Sequence, residues 1–83
     1  MKILKELLEQ LDYTCERGSL EKRVEAVVYD SRKVVKNCLF ICIKGANFDG
    51  HQAAYQAAAD GAAAILACGE VSVPEDSEVT LIR

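Results

Sequence analysis

The fold is decided by residues 39–68, which read LFICIKGANFDGHQAAYQAAADGAAAILAC. Two apolar runs, residues 39–43 and 63–68, enclose a loop that contains glycines and a stretch that is rich in alanine. A short unbroken apolar run is typical of a strand that is covered on both faces of a sheet. Both runs therefore favour strands at the centre of an α/β sheet.

The alanine-rich stretch predicts a helix over residues 51–60, because alanine has the highest intrinsic helix propensity. Asp49 or Asn47 is suited to cap the first turn of this helix, and Gly61 stands where a C-terminal cap is expected. Residues 39–68 therefore predict strand, loop, helix and strand, which is one βαβ unit with a right-handed crossover.

Further elements are predicted on both sides of this unit. Residues 3–11 place apolar side chains on one helical stripe and favour a short amphipathic helix. Residues 14–22 indicate a loop, residues 24–29 favour a strand, and residues 79–82 favour a final strand. The predicted fold class is α/β, with a small sheet of about four strands, at least partly parallel, flanked by two helices.

Composition limits the class of protein. The chain has 83 residues, of which 51% are hydrophobic and 28% are charged, and this balance is typical of one globular domain rather than a disordered chain. The net charge is -3 and basic residues do not alternate with aromatic ones, so we expect no nucleic-acid partner. The longest apolar run, residues 62–68, is far shorter than the roughly 20 residues of a membrane span. With no signal peptide recognisable, we expect a cytoplasmic protein that has no membrane partner.

Four cysteines, Cys15, Cys38, Cys42 and Cys68, are expected to be free thiols, because disulfides are rare in a reducing cytosol. Cys38 and Cys42 would lie roughly 13 Å apart on a strand, which is too far for a disulfide. Their spacing does not fit a zinc knuckle either, and we expect no metal site. Cys42 and Cys68 are predicted to pack in the core. For His51, in the first helical turn, a structural hydrogen bond is favoured over metal ligation.

The first candidate site is the loop formed by residues 44–50. It lies between the end of a buried strand and the start of a helix. Ligands bind at this edge of α/β sheets, and the unpaired N–H groups of a helix N-terminus attract anions. The same segment also fits an ordinary connection without a ligand. Its glycines lack the spacing of a nucleotide-hydrolysing or dinucleotide-binding loop, and the chain shows no paired carboxylates for acid–base chemistry. No catalytic residue is predicted.

The second candidate site is the sequence Tyr-Asp-Ser-Arg-Lys at residues 29–33. A hydroxyl and cations at the end of a strand are suited to bind a phosphate or a sugar. The same residues also commonly cap a turn and point into water.

Together, the two segments resemble the N-terminal domain of Mur ligases, enzymes of peptidoglycan synthesis, and in particular the type that adds the third amino acid to the cell-wall peptide. The family pattern is D-S-R, a short basic stretch, an apolar strand that ends in Lys-Gly, then D-G-H and a helix closed by Gly-Ala. The resemblance covers roughly the whole chain and is strongest over residues 27–65. Asn37 and Cys38 depart from the family, which usually has Gly followed by Asp or Ser there. Because asparagine tolerates a left-handed backbone, the turn is expected to survive.

The resemblance implies that residues 1–83 form a single N-terminal domain that binds UDP-N-acetylmuramoyl-L-Ala-D-Glu, with the ATP-binding and C-terminal domains absent from this chain. Residues 29 and 31 would contact the UDP part, and residues 46–48 would close around uracil and ribose. The implied contact residues are Tyr29, Ser31, Ala46, Asn47 and Phe48, with Arg32, Lys44 and His51 as weaker candidates.

The resemblance also implies the activity of the full-length enzyme. ATP, with Mg, would phosphorylate the D-Glu carboxylate, and the amine of diaminopimelate or lysine would attack the acyl phosphate. The 83-residue chain alone is expected to be inactive. The competing interpretation is a small stand-alone interaction or adaptor domain that binds no ligand.

A shared ligand poses a geometric question. If both candidate segments touch one molecule, the strands over residues 24–29 and 39–43 should be parallel, so that their carboxyl ends meet. Only residues 30–38 join them, whereas parallel crossovers generally need about a dozen residues. Either the connection is unusually short, or the two strands are not neighbours.

Overall fold

The computed structural model describes residues 2–43 and 49–83. Two helices and seven strands lie within these ranges. The strands are β1 (Lys2–Ile3), β2 (Cys15–Arg17), β3 (Arg23–Val24), β4 (Ala26–Val28), β5 (Cys38–Ile41), β6 (Ala64–Leu66) and β7 (Thr80–Ile82), and the helices are α1 (Leu4–Leu7) and α2 (Ala54–Ala59).

The main sheet of the described residues has the strand order β2-β7-β6-β5-β4. Strands β4, β5, β6 and β7 run parallel to one another, and β2 pairs antiparallel with β7 at one side of the sheet. A separate antiparallel ribbon pairs β1 with β3. The predicted α/β class and the partly parallel sheet are confirmed.

The βαβ unit has the predicted order, since β5, α2 and β6 follow one another and the two strands are parallel. A 3-10 turn, Gly50–Ala53, precedes α2, and the Asp49 carboxylate caps it by accepting the His51 N–H at 3.0 Å. Gly61 ends the helix with φ +103°, a left-handed conformation that glycine adopts without strain. The Ala62 N–H donates to the Ala57 carbonyl at 3.1 Å, as expected for this type of cap.

The connection between β4 and β5 answers the geometric question, because the two strands are parallel neighbours with Val27 opposite Leu39. The short connection is compacted by a 3-10 turn, Ser31–Lys33, and ends at Asn37, whose φ is 65°. The Asn37 carbonyl accepts the Glu25 N–H at 2.9 Å, which ties the end of the connection to the start of β4. The left-handed conformation predicted for Asn37 is confirmed.

Two hydrophobic layers cover the main sheet. Phe40 and Ile65, both fully buried, pack with the alanines of α2 on one face. Leu39 and Ala64 point to the other face, where they pack with Leu4 of α1. Alternating side chains from β5 and β6 thus supply both layers, as expected for central strands.

Three predicted elements differ most from the structure. The first helix was predicted over residues 3–11 but is limited to α1, and Leu11 beyond it is 49% exposed. Residues 14–22, predicted as a loop, contain the edge strand β2. Its sequence has little apolar alternation, and its pairing with β7 holds it as a strand. The strand predicted over residues 24–29 is divided into β3 and β4, since β3 pairs with β1 instead of the main sheet.

Candidate functional site at the carboxyl edge of the sheet

Because β4, β5, β6 and β7 are parallel, their carboxyl ends lie along one edge of the sheet, which we call the carboxyl edge. The residues that follow these strands are the groups that the fold offers to a ligand there. Tyr29 follows β4 and is 69% exposed, and Ser31 lies in the next turn, half-buried. Ile43 and Asp49, on the two sides of positions 44–48, also lie at this edge.

The segment after β4 is organised by an ion pair between Asp30 and Arg32. The Asp30 carboxylate accepts the Arg32 backbone N–H at 2.9 Å and two guanidinium N–H groups at 3.2 and 3.0 Å. These hydrogen bonds lower the pKa of Asp30 to about 2 and raise the pKa of Arg32. Arg32 stays 88% exposed while it is paired. The motif therefore caps a turn and, in doing so, fixes the backbone that presents Tyr29 and Ser31.

His51 connects the base of the loop after β5 to the end of β6. Its Nδ1 lies 2.7 Å from Asp49 Oδ1, and its Nε2 accepts the N–H groups of Cys68 at 3.1 Å and Gly69 at 3.3 Å. Since two donors on Nε2 require a lone pair there, we assign the tautomer with the proton on Nδ1, which donates to Asp49. The predicted structural hydrogen bond of His51 is confirmed.

Gly50 closes the base of the same loop. Its N–H donates to the Ile43 carbonyl at 2.9 Å, and the residue is buried. A Cβ at this position would lie 2.9 Å from the Ile43 nitrogen, closer than real Cβ atoms approach backbone. Asp49 therefore caps the turn, Gly50 allows a close backbone contact, and His51 links the turn to the end of β6.

Two open grooves run along the carboxyl edge and share His51, Gly69 and Glu70. The first, of about 600 Å³, lies between the ends of β5 and β6, and the second, of about 660 Å³, lies between α2 and the ends of β6 and β7. Glu16 and Arg83, paired at 3.6 Å, form one wall of the second groove. The first is lined by Ile41, Cys42, Ile43, Asp49, His51, Cys68, Gly69 and Glu70.

The cysteines of the described chain are all free thiols. Cys42 is buried as predicted, and this burial, with smaller contributions from Asp49 and Cys68, raises its pKa to about 11. The prediction of core packing was wrong for Cys68, which is exposed because β6 ends at Leu66. Among residues 2–43 and 49–83, no group of three or more His, Cys, Asp or Glu side chains is arranged to hold a metal ion.

Of the predicted contact residues, the structure brings Tyr29 and Ser31 to the carboxyl edge with His51, and Arg32 beside them. Lys44, Ala46, Asn47 and Phe48 lie outside the described residues. The sequence did not indicate that the backbone N–H groups of Cys68 and Gly69 would bind His51, because backbone donors cannot be recognised from residue types. The signal that could have indicated them was the parallel order itself, which brings the end of β6 to the same edge. No helix in the described part of the chain is long and apolar enough to cross a membrane.

Comparison with known proteins identifies the family. A family model described as "Mur ligase family, catalytic domain" matches residues 23–81. The chain belongs to the Mur ligase family. The resemblance inferred from the sequence motifs is thereby confirmed, and the matched residues contain both candidate segments of this Mur ligase domain.

Relatives with assigned names are similar over most of the Mur ligase domain. A UDP-N-acetylmuramoyl-L-alanyl-D-glutamate--2,6-diaminopimelate ligase of Bacillus licheniformis is 41% identical over 83 residues, which are 100% of this chain and 17% of the relative. The corresponding enzyme of Clostridium perfringens is 38% identical over 98% of this chain and 17% of its own length. A ligase of the same name, numbered 2, from Clostridium acetobutylicum is 44% identical over 76% of this chain and 13% of its own length. The chain thus spans less than a fifth of each of these relatives.

A solved structure supports the fold. MurF from Acinetobacter baumannii is similar with a TM-score of 0.53 and 28% sequence identity, over 70% of this chain and 12% of that one. The α/β fold of the Mur ligase domain is therefore shared with a solved member of the family.

Proposed function

We propose that this Mur ligase domain docks the UDP part of UDP-N-acetylmuramoyl-L-alanyl-D-glutamate for an ATP-dependent ligase that adds the third amino acid of the peptidoglycan peptide. The names of the relatives support this substrate and favour diaminopimelate over lysine as the added amino acid. The place of action would be the cytoplasm, and the partners would be this nucleotide-linked peptide and further domains of a longer polypeptide.

One observation carries the proposal, namely the parallel pairing of β4 with β5. This pairing puts the Tyr29 and Ser31 segment and both ends of the loop after β5 at the carboxyl edge. A single nucleotide can bridge two segments only if they face the same edge. In the competing arrangement, with antiparallel strands, the two segments would lie at opposite edges.

The chemistry of the proposed contacts suits a nucleotide. The exposed ring of Tyr29 offers an aromatic face on which a base can stack, and the Ser31 hydroxyl can donate to and accept from ribose or phosphate oxygens. Ala46, Asn47 and Phe48 are proposed to close around uracil and ribose. Arg32, Lys44 and His51 remain weaker candidates, since Arg32 already pairs with Asp30 and both ring nitrogens of His51 are occupied.

The contribution of such a domain to catalysis is positional. Binding energy from the distant nucleotide would hold the reacting D-Glu carboxylate in a site formed by other parts of the enzyme. ATP and Mg are therefore proposed to bind outside this chain, and the side chains at the carboxyl edge hold and orient the substrate without reacting.

A calorimetric titration of the 83-residue chain with UDP-N-acetylmuramoyl-L-alanyl-D-glutamate tests the proposal. Ser31→Ala should weaken binding by about tenfold, because a hydrogen bond to a charged or sugar oxygen is lost. Ser19→Ala is the matched control, since Ser19 is exposed and its carbonyl accepts the Thr80 hydroxyl at the opposite edge of the sheet. No binding by the wild-type chain at millimolar ligand would contradict the proposal and favour a stand-alone interaction domain.

A further inference from the structure

His51 joins two described segments, namely the start of the turn before α2 at Asp49 and the end of β6 at Cys68 and Gly69. We infer that His51 is a positioning residue, which fixes these two segments against each other so that the nucleotide meets a preformed site. The inference rests on the proposed function and adds a role that does not require His51 to touch the ligand.

The hydrogen bonds of His51 leave it little capacity for a ligand. Nδ1 is directed at the Asp49 carboxylate, and Nε2 is shared by the two N–H groups of Cys68 and Gly69. The side chain is only 17% exposed. A ligand could gain a hydrogen bond from this ring only by displacing one of these partners.

The position of the link explains what it controls. The Gly50 N–H donates to the Ile43 carbonyl at 2.9 Å, so the described residues on the two sides of positions 44–48 are hydrogen-bonded to each other. Asp49 is in turn bound by the His51 ring, whose other nitrogen holds the chain after β6. The loop base is thereby held from two neighbouring strands. Ordering these segments before the ligand arrives removes an entropic cost from binding.

Two substitutions separate the two halves of the link. Glutamine in His51→Gln can place a carbonyl oxygen near the position of Nε2 and so accept the N–H groups of Cys68 and Gly69. Asparagine in His51→Asn can place an amide nitrogen near Nδ1 and so keep Asp49 as its partner, but it cannot reach the end of β6. Gln52→Asn is the matched control, because Gln52 is exposed and adjacent.

The experiment combines amide spectra of each free variant with its affinity for UDP-N-acetylmuramoyl-L-alanyl-D-glutamate. We expect His51→Asn to shift the Cys68 and Gly69 amide signals, to speed their hydrogen exchange, and to weaken binding by about fivefold or more. His51→Gln should restore both amide signals and bind within about twofold of wild type. Thermal unfolding of all the variants shows whether each remains folded at the temperature of the titration.

Two results would overturn the inference while leaving the proposed function intact. One is wild-type affinity in both His51 variants. The other is an equal loss of affinity in both variants while the Cys68 and Gly69 amides stay native, because this would make His51 a direct contact. A wild-type chain that binds no ligand removes the proposed function itself, and the positioning role is then overturned with it.

Discussion

At the scale of single residues, the three positions Asp49, Gly50 and His51 show how a short motif builds a loop base. The carboxylate caps the turn, the glycine allows the backbone of Ile43 to approach, and the imidazole reaches β6. Each task depends on a different property of the residue. Substitutions at the three positions should therefore fail in different ways.

Gly50→Ala should destabilise the domain by about 1–3 kcal/mol, because the new methyl group would lie 2.9 Å from the Ile43 nitrogen and the backbone would have to shift. Gly69→Ala is the control, since the nearest atoms to its Cβ belong to the His51 ring at 4.0 Å, an ordinary contact. Urea denaturation of both variants measures the difference. Equal unfolding free energies would show that the space around Gly50 is larger than described.

Asp30 should make a pH-dependent contribution to the stability of the capped turn. Its hydrogen bonds to Arg32 lower its pKa from an ordinary 3.8 to about 2. A carboxyl whose pKa is depressed by folding stabilises the fold fully above its ordinary pKa, and this contribution is lost as the pH falls through the folded value. We therefore expect the capped turn to weaken between about pH 4 and pH 2.

Carbon-detected NMR titration of the Asp30 carboxyl measures this pKa directly. Arg32→Gln should return the pKa of Asp30 towards its ordinary value, whereas Lys33→Gln should change it little, because Arg32 supplies the hydrogen bonds and Lys33 only a weak charge effect. A pKa of Asp30 near 3.8 in the wild-type chain would mean that the pair with Arg32 does not persist in solution.

At the scale of elements, local sequence signals were sufficient only where they agreed with one another. The βαβ unit was predictable because apolar runs, alanine content, Asp49 and Gly61 all indicate the same structure. Strand β2 was not predictable, since only its pairing with β7 makes it a strand. The position of Tyr29 and Ser31 after a strand was predictable, but the edge they share with the end of β5 depended on the parallel pairing of β4 with β5.

The cysteines that follow β5 and β6 should differ in their reactivity towards alkylating reagents. Cys42 is buried at the end of β5 with a pKa raised to about 11, whereas Cys68 is exposed beyond β6. Because the thiolate is the reactive form, iodoacetamide at pH 8 should label Cys68 in the folded chain and leave Cys42 unlabelled until the chain unfolds. Peptide mass spectrometry measures the order. Labelling of Cys42 as fast as Cys68 would contradict the described burial.

At the scale of the whole molecule, the two edges of the sheet differ in the contacts they contain. At the edge where the strands begin, the Lys22 ammonium donates to the carbonyls of Ala63 and Glu78, and the Thr80 hydroxyl donates to the Ser19 carbonyl. Burial lowers the pKa of Lys22 there. These contacts tie the segment before β3 to β6 and β7. The carboxyl edge carries two open grooves and the family motif, and a third groove of about 620 Å³, lined in part by Lys22, lies at the opposite edge.

The proposed docking role predicts that the chain alone has no turnover. With ATP, Mg, UDP-N-acetylmuramoyl-L-alanyl-D-glutamate and diaminopimelate, the purified chain should release no ADP and form no tripeptide product above background. A full-length relative, such as the Bacillus licheniformis ligase, is the positive control in the same assay. The description of the matched family as a catalytic domain makes this assay informative, since measurable turnover would place reacting groups within the chain.

The most direct test of the docking account is an amide shift map of the labelled 83-residue chain during titration with UDP-N-acetylmuramoyl-L-alanyl-D-glutamate. The account predicts saturable shifts at Tyr29, Ser31 and residues 46–48, with Lys22 and Gly61 at the opposite edge unchanged. Weak affinity would still agree with it, because an isolated domain lacks the contacts of its neighbours. Shifts confined to the opposite edge, or none at millimolar ligand, would contradict it.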